Sequence, residues 1–242
     1  EILKNKEPVW LQEAVAKNRF GKITSNELPK NFSFSVLNKN IVKTHLVNKI
    51  IAIEGMPGAG KTTYVENYLG HHREKIFIPQ LHIKNKRILH KNNLDTSKHF
   101  LVAEKNKTSL IDKLGKNHSE IVMDRTFITT LAYCYARSKM NNTPKEYEEL
   151  LDFYTKIKNK ITFPTHVIYL DVSISESLKR RRTHSKYEKY QNWFNPRFLN
   201  YFKGFYKTEL KRFLPVKLSY VNTSNLTPNE SAKKINKIIH NL

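Results

Sequence analysis

The stretch IIAIEGMPGAGKTTYVENYLG, Ile50 to Gly70, drives an apolar run into a glycine-rich turn that ends on a lysine and two threonines. Gly55 to Thr62 fits G-x-x-x-x-G-K-[ST], a spacing suited to gripping a polyphosphate. The candidate binding segment is Gly55, Met56, Pro57, Gly58, Ala59 and Gly60, followed by Lys61, Thr62 and Thr63. Its glycines let the chain curl with backbone N–H groups inward, and a helix opening at Lys61 adds partial positive charge at the same point. Lys61 would reach between the β- and γ-phosphates, and the Thr62 hydroxyl would hold Mg2+. The competing reading, an ordinary glycine turn, leaves unexplained why a strand-like run enters it and a helical pattern leaves it.

Two further clusters add to this chemistry. EIVMDRT, Glu120 to Thr126, ends an apolar run on Asp124, where a carboxylate could hold a magnesium water. Arg125 beside it could bind an anion on the acceptor side. The alternative for Asp124 is a cap on the helix that DRTFITT would open. Further on, KRRR, Lys179 to Arg182, falls at or beyond the end of a helix that starts near Ser173. Arg180, Arg181 and Arg182 could close as a lid on transferring phosphates and exclude water. A solvated basic helix end, favoured by the helix dipole, is the alternative.

Such side chains need a frame that brings them together. From Lys49 onward short Ile- and Val-rich runs alternate with longer helical patterns. Strands are predicted over 49–54, 75–79, 120–124, 166–171 and 217–222. Helices are predicted to begin near Lys61, Ser97, Ile128, Thr143, Ser173, Pro196 and Thr227. This alternation predicts an α/β fold with right-handed crossovers and a mostly parallel sheet covered on both faces. Ligands on such sheets bind beyond the strands' carboxyl ends, where the glycine loop, Asp124 and Asp171 would lie.

Residues 1–45 read as an N-terminal extension or linker, and 46–242 as the main domain. Val9, Trp10, Ala14 and Val15 share a helical face in the first segment, with Pro8 in its first turn and Gly21 past its end. The chain opens on Glu1 rather than methionine, so a fragment or processed product is expected.

At 242 residues the chain is long enough for a substantial core. No stretch approaches the roughly 20 apolar residues of a membrane span, and no secretion signal opens the chain. The single cysteine, Cys134, excludes an internal disulfide framework and a Cys-rich zinc site. These features lead to the expectation of a soluble, cytoplasmic protein with no membrane partner. Lys and Arg number 43 against 21 Asp and Glu, a net charge of +22. That field suits phosphate-bearing partners, but no dense basic run concentrates it, and lysine-rich coding bias explains it as well. Nucleic acid is therefore a partner left open but not favoured.

IIAIEGMPGAGKTT, DRTFITTLAYCYA and HVIYLDVSISESLKRR, followed by a long helix and YVNTSNLTPNESAKKINKII, resemble thymidylate kinases and their deoxynucleoside kinase relatives. The likeness runs from about Lys49 to the C-terminus. It implies a P-loop NTPase three-layer sandwich with a five-stranded parallel sheet. It also implies transfer of a γ-phosphoryl group from MgATP to a nucleoside, a nucleoside monophosphate or a similar small acceptor. By that resemblance Lys61 and Thr62 handle ATP and Mg2+, Asp124 sits near the metal, and Arg125 touches the acceptor. Arg180 to Arg182 belong to the lid, which makes Lys61, Asp124, Arg125 and Arg181 the expected catalytic set. A homodimer is admitted as a partner arrangement.

Some positions depart from the family pattern. Pro57 stands where thymidylate kinases commonly carry an acidic residue, Gln80 where an acidic segment follows the second strand, and Cys134 where a base-contacting glutamine follows AY. An acceptor hydroxyl needs a carboxylate base, whereas a monophosphate does not; Glu54 and Glu104 are the substitutes in reach of the pattern. Two rivals remain: a kinase for 5′-hydroxyl ends of RNA or DNA, and a nucleotide-binding regulatory module with little transfer activity.

Tyr133 lies on the helix that would line the acceptor cavity, as a base contact or a packed core residue. Trp193 and Phe194 read as hydrophobic anchors ahead of the helix at Pro196. Phe198, Tyr201, Phe202, Phe205 and Tyr206 recur at helical spacing and read as core. The histidines, His71 and His72 among them, show no zinc-ligand spacing.

Overall fold

The computed structural model describes residues 49–65, 75–78, 92–115, 120–182, 191–214 and 216–242. The expected extension 1–45, His71, His72, Gln80 and the stretch 183–190 lie outside the described residues.

Five strands form a single sheet: β1 (Lys49–Gly55), β2 (Lys75–Ile78), β3 (Glu120–Asp124), β4 (His166–Asp171) and β5 (Lys217–Asn222). Their order is β2-β3-β1-β4-β5, and every pairing is parallel. Parallel strands are covered on both faces, so they read as unbroken apolar runs rather than alternating ones. Central β1 shows this, with Ile51, Ala52, Ile53 and Glu54 all fully buried. The strand positions agree with those predicted from the alternating runs.

The helices are α1 (Lys61–Tyr64), α2 (Asn93–Gly115), α3 (Phe127–Asn141) and α4 (Pro144–Ile157), then α5 (Ile174–Arg182), α6 (Pro196–Lys207), α7 (Leu210–Phe213) and α8 (Pro228–His240). Three open on a proline, whose fixed φ suits a first helical turn. α8 adds a full capping box between Thr227 and Glu230. α2 starts at Asn93, ahead of the expected Ser97, because the Asn92 side chain accepts the Asp95 N–H at 2.7 Å and caps the helix earlier. α2, α3, α4 and α6 pack as one group, while α8 packs on α1 and β5.

Chain connections leave β1 toward β3 and β2 but leave β4 toward β5, on the opposite side. The two strands stay paired to their carboxyl ends, but the connections that leave them part to opposite sides, the arrangement that opens a crevice for ligands in open α/β sheets. Gly55 pairs with Leu170 at its floor. A Cβ on Gly55 would collide with the Leu170 carbonyl oxygen, so only glycine lets β1 enter the loop beside β4.

Candidate active site

The loop from Gly55 to Gly60 is defined by where its carbonyls go. Gly55 O and Met56 O accept from Lys61 Nζ at 2.9 and 2.8 Å. Pro57 O accepts from Ser177 Oγ at 2.7 Å, Gly58 O from Arg180 Nη1 at 3.1 Å and Ala59 O from Thr223 Oγ1 at 3.2 Å. Gly60 O takes the Tyr64 N–H at 2.9 Å, opening α1. All six carbonyls are thus engaged, whereas the amides of Gly58, Gly60 and Lys61 have no backbone acceptor among the described residues. Gly58 holds a left-handed φ of 75°, with Ser177 backbone close behind it. The result is a concave set of donors, a shape that receives anions.

Lys61 is buried at 5% exposure and curls back onto its own loop. Burial, with Arg125 adding to it, pushes its ammonium down to about 7, against the pull of Asp124 and Glu54. Such a lysine gains most from an arriving polyanion. Thr62 is exposed at the start of α1 and Thr63 half-buried.

Asp124 ends β3 in the strand next to β1, where its register partner is Ile53. It is 8% exposed, and its Oδ1 is buried with no hydrogen-bond partner. It does not cap α3: the Thr126 side chain does, accepting the Ile128 N–H at 3.2 Å. A buried, unsatisfied carboxylate oxygen is costly unless a cation or donor completes it, which fits the magnesium-holding reading. Among the described residues no group of three His, Cys, Asp or Glu gathers as a metal site.

Arg125 adopts φ 61°, rare for a residue with a long side chain. Its N–H donates to Ile53 O at 3.1 Å, and its own carbonyl accepts from Lys107 Nζ at 3.1 Å. The next peptide is held as well, because Thr126 N–H and Oγ1 both donate to Glu54 Oε1 at 2.8 Å. The second Glu54 oxygen accepts from Thr129 Oγ1 at 2.5 Å and from the Tyr206 hydroxyl at 3.0 Å. Burial raises the Glu54 pKa, and these hydrogen bonds work against that rise. With four donors on its carboxylate, Glu54 is a structural acceptor and not the base that the sequence offered. Glu104 is nearly buried as well, 3.6 Å from Lys107 Nζ, and accepts from the Phe127 backbone.

The arginines divide. Lys179–Arg182 fall at the end of α5, within its last turn, as the sequence placed them. Arg180 is a strut: besides Gly58 O, it reaches Thr223 O at 2.8 Å, Ser224 O at 3.1 Å and Glu176 at 2.8 Å. It therefore ties the loop to the end of β5, in contrast to the expected lid. Arg181 lies behind Gly58 and is 8% exposed. It donates to Trp193 O and lies 4.0 Å from the Phe194 ring centroid. The Arg182 side chain is outside the described set.

The turn Gln191–Phe194 links the two sides of the crevice. Trp193 holds Arg181 by its carbonyl, sits 5.8 Å from the Arg125 guanidinium and packs on Phe198 and Phe202. The expected anchoring before α6 is shown by Trp193, whereas Phe194 meets the Arg181 guanidinium. Tyr133 is half-buried against Trp193 and Phe198, and its hydroxyl accepts from Asn192 Nδ2 at 2.8 Å. Phe198, Phe202, Phe205 and Tyr206 are fully buried, as the helical spacing implied.

Sequence reasoning missed Lys107 and the roles of Thr129 and Tyr206. Lys107 is fully buried, and its position in a run of polar residues gave no signal of that. Thr129 and Tyr206 lie on different helices and meet only through Glu54.

No protein-family model matches the chain, and no curated protein matches it by sequence. Solved structures do share the fold. A deoxyadenosine kinase from M. mycoides, with products dCMP and a flexible dCDP bound, superposes with a TM-score of 0.63 at 19% identity, over 80% of this chain and 100% of that one. The same enzyme with dATP bound gives 0.60 at 21% identity, over 79% and 99%. A thymidylate kinase from Candida albicans gives 0.63 at 15% identity, over 80% and 92%. The fold is therefore the one these P-loop kinases share.

Proposed function

We propose that this chain is an ATP- and Mg2+-dependent kinase that transfers a γ-phosphoryl group to a small acceptor, a nucleoside or nucleoside monophosphate. The observation that carries this reading is the loop whose six carbonyls are all engaged, two of them by Lys61 in its floor, with the unpartnered Asp124 oxygen at the end of an adjacent strand. The same fold in two kinases, one solved with nucleotide products, adds support.

In this reading the amides of Gly58, Gly60 and Lys61 take the phosphate oxygens, and Lys61 leaves its two carbonyls to neutralise charge on the transferring group. Thr62 and Asp124 would hold the cation. When bound, Mg2+ would supply neutralisation of the charge on the phosphates. Arg181 approaches from the α5 side, and Arg180 keeps the loop shaped without touching the transferred group. Arg125, with a buried Nε that has no hydrogen-bond partner, faces the acceptor, and Tyr133 with Asn192 borders it. Catalysis is then mostly alignment and charge stabilisation. A phosphate acceptor needs no base; for a hydroxyl acceptor Asp124 is the carboxylate beside Arg125 that no protein donor saturates.

The test is transfer of labelled γ-phosphate to a panel of nucleosides, nucleoside monophosphates, small alcohols and 5′-hydroxyl oligonucleotides. Product on nucleosides or their monophosphates is expected. Product on oligonucleotides alone, or on nothing while ATP binds, overturns the reading.

A further inference from the structure

We infer that Lys107 and Glu54 are positioning residues for the acceptor step: together they hold Arg125 in a left-handed backbone conformation that aims its guanidinium at the acceptor. The inference rests on the function proposed above.

Arg125 at φ 61° has a backbone conformation that costs about 1–3 kcal/mol for a non-glycine residue. It persists because three contacts from two elements grip the segment. β1 takes the Arg125 N–H through Ile53 O, α2 caps the Arg125 carbonyl through Lys107, and Glu54 at the end of β1 fixes the Thr126 peptide. Both grips beyond the strand use charged side chains that are fully buried, Lys107 and Glu54 each at 0% exposure. Buried charges are expensive and survive where they are paired and hydrogen-bonded. Lys107 has Glu104 at 3.6 Å, and Glu54 has four hydroxyl or amide donors. Neither side chain is directed at the phosphate loop by any hydrogen bond. What they share is the segment Arg125–Thr126.

A relaxed Arg125 with negative φ would carry its side chain away from the crevice and from the Trp193 ring it now faces. The clamp therefore sets acceptor alignment, whereas the donor loop has its own ties, to Ser177, Arg180 and Thr223.

The decisive variant is Lys107→Met, which keeps the length of the stem and removes the donor. Because it leaves Glu104 without its partner, Lys107→Met/Glu104→Gln is made alongside it to keep the fold. Crystal structures of parent and variants are expected to show Arg125 at positive φ in the parent and out of that region in the variants. With an acceptor from the panel, kcat/KM for the acceptor should fall about 100-fold, as for angstrom-scale misalignment, while the Kd for MgATP stays at the parent value. Glu54→Leu should lower acceptor kcat/KM likewise, and Glu54→Gln, which retains an acceptor oxygen for Thr126, should keep it close to the parent. An unchanged Arg125 conformation in both Lys107 variants, or equal loss of MgATP and acceptor affinity, overturns the clamp. Failure of the parent to phosphorylate any acceptor counts against the proposed function, and the Arg125 conformation still decides the clamp.

Discussion

The two sides of the crevice are built in opposite ways. The donor loop is a contiguous stretch whose shape comes from glycines and whose carbonyls are tied down by three side chains from α5 and the end of β5. The acceptor side is centred on one residue, Arg125, bent into an unfavourable conformation and held there by β1, α2 and Glu54. A loop of amides is specified by local spacing and braced at three separate carbonyls. A strained arginine is specified by partners far away in sequence, so its alignment is vulnerable to substitutions that touch no ligand. The difference assigns separate failures to separate mutations.

The largest effect should fall on the donor side. Lys61→Ala is expected to lower kcat about 1000-fold, the scale for losing a preorganised charge-stabilising donor, while circular dichroism and melting stay near the parent. Next comes Arg125→Gly on the acceptor side. It should reduce acceptor kcat/KM about 100-fold through loss of a charged contact, yet leave MgATP affinity intact at pH 6, where Lys61 is protonated with or without the Arg125 charge. Relief of about 1–3 kcal/mol of strain, less the glycine's entropic cost of about 0.4–1 kcal/mol, leaves a gain of about 1 kcal/mol. For a chain of this size that should raise Tm by about 2–4 °C. Loss of both stability and donor binding in this variant would erase the contrast.

pH separates the sides more finely. In the free protein Lys61 loses its proton near 7, while a bound triphosphate favours the protonated form. Binding above pH 7 must then take up a proton, so MgATP affinity should fall toward about tenfold per pH unit and level off below 7. Calorimetry in buffers of different ionisation enthalpy measures both the slope and the proton uptake. Affinity for the acceptor should not follow this slope. The smallest effect is expected from Tyr133→Phe, which removes the hydroxyl that accepts from Asn192. A hydrogen bond of about 1 kcal/mol corresponds to a few-fold rise in acceptor KM, read by steady-state kinetics, with donor parameters unchanged.

The same contrast explains what could be read from the sequence. The strands from Lys49 to Asn222 showed as apolar runs because parallel strands bury both faces, and the glycine loop showed because its function needs fixed spacing. Asp124 and Arg125 were legible as types at a strand end, but their surroundings were not. Glu54 reaches Thr126 across 72 residues of sequence, and nothing local distinguishes a carboxylate that caps a peptide from one that takes a proton. Lys107 looked like one more lysine in a lysine-rich chain; only the docking of α2 beneath Arg125 gives it a partner. Arg180 read as a lid residue because a guanidinium suits phosphate and backbone carbonyls equally well. The structure gives it three such carbonyls. The early start of α2 came from Asn92, a cap hidden in an asparagine pair.

The central claim is that the amides of Gly58, Gly60 and Lys61, with the Lys61 ammonium, form a triphosphate site. Calorimetric titration of purified protein with MgATP tests it most directly. One site per chain is expected, with affinity at least about tenfold weaker in Lys61→Ala, as loss of a charge-assisted hydrogen bond requires. Absence of binding by the parent, or identical affinity in the variant, contradicts the account.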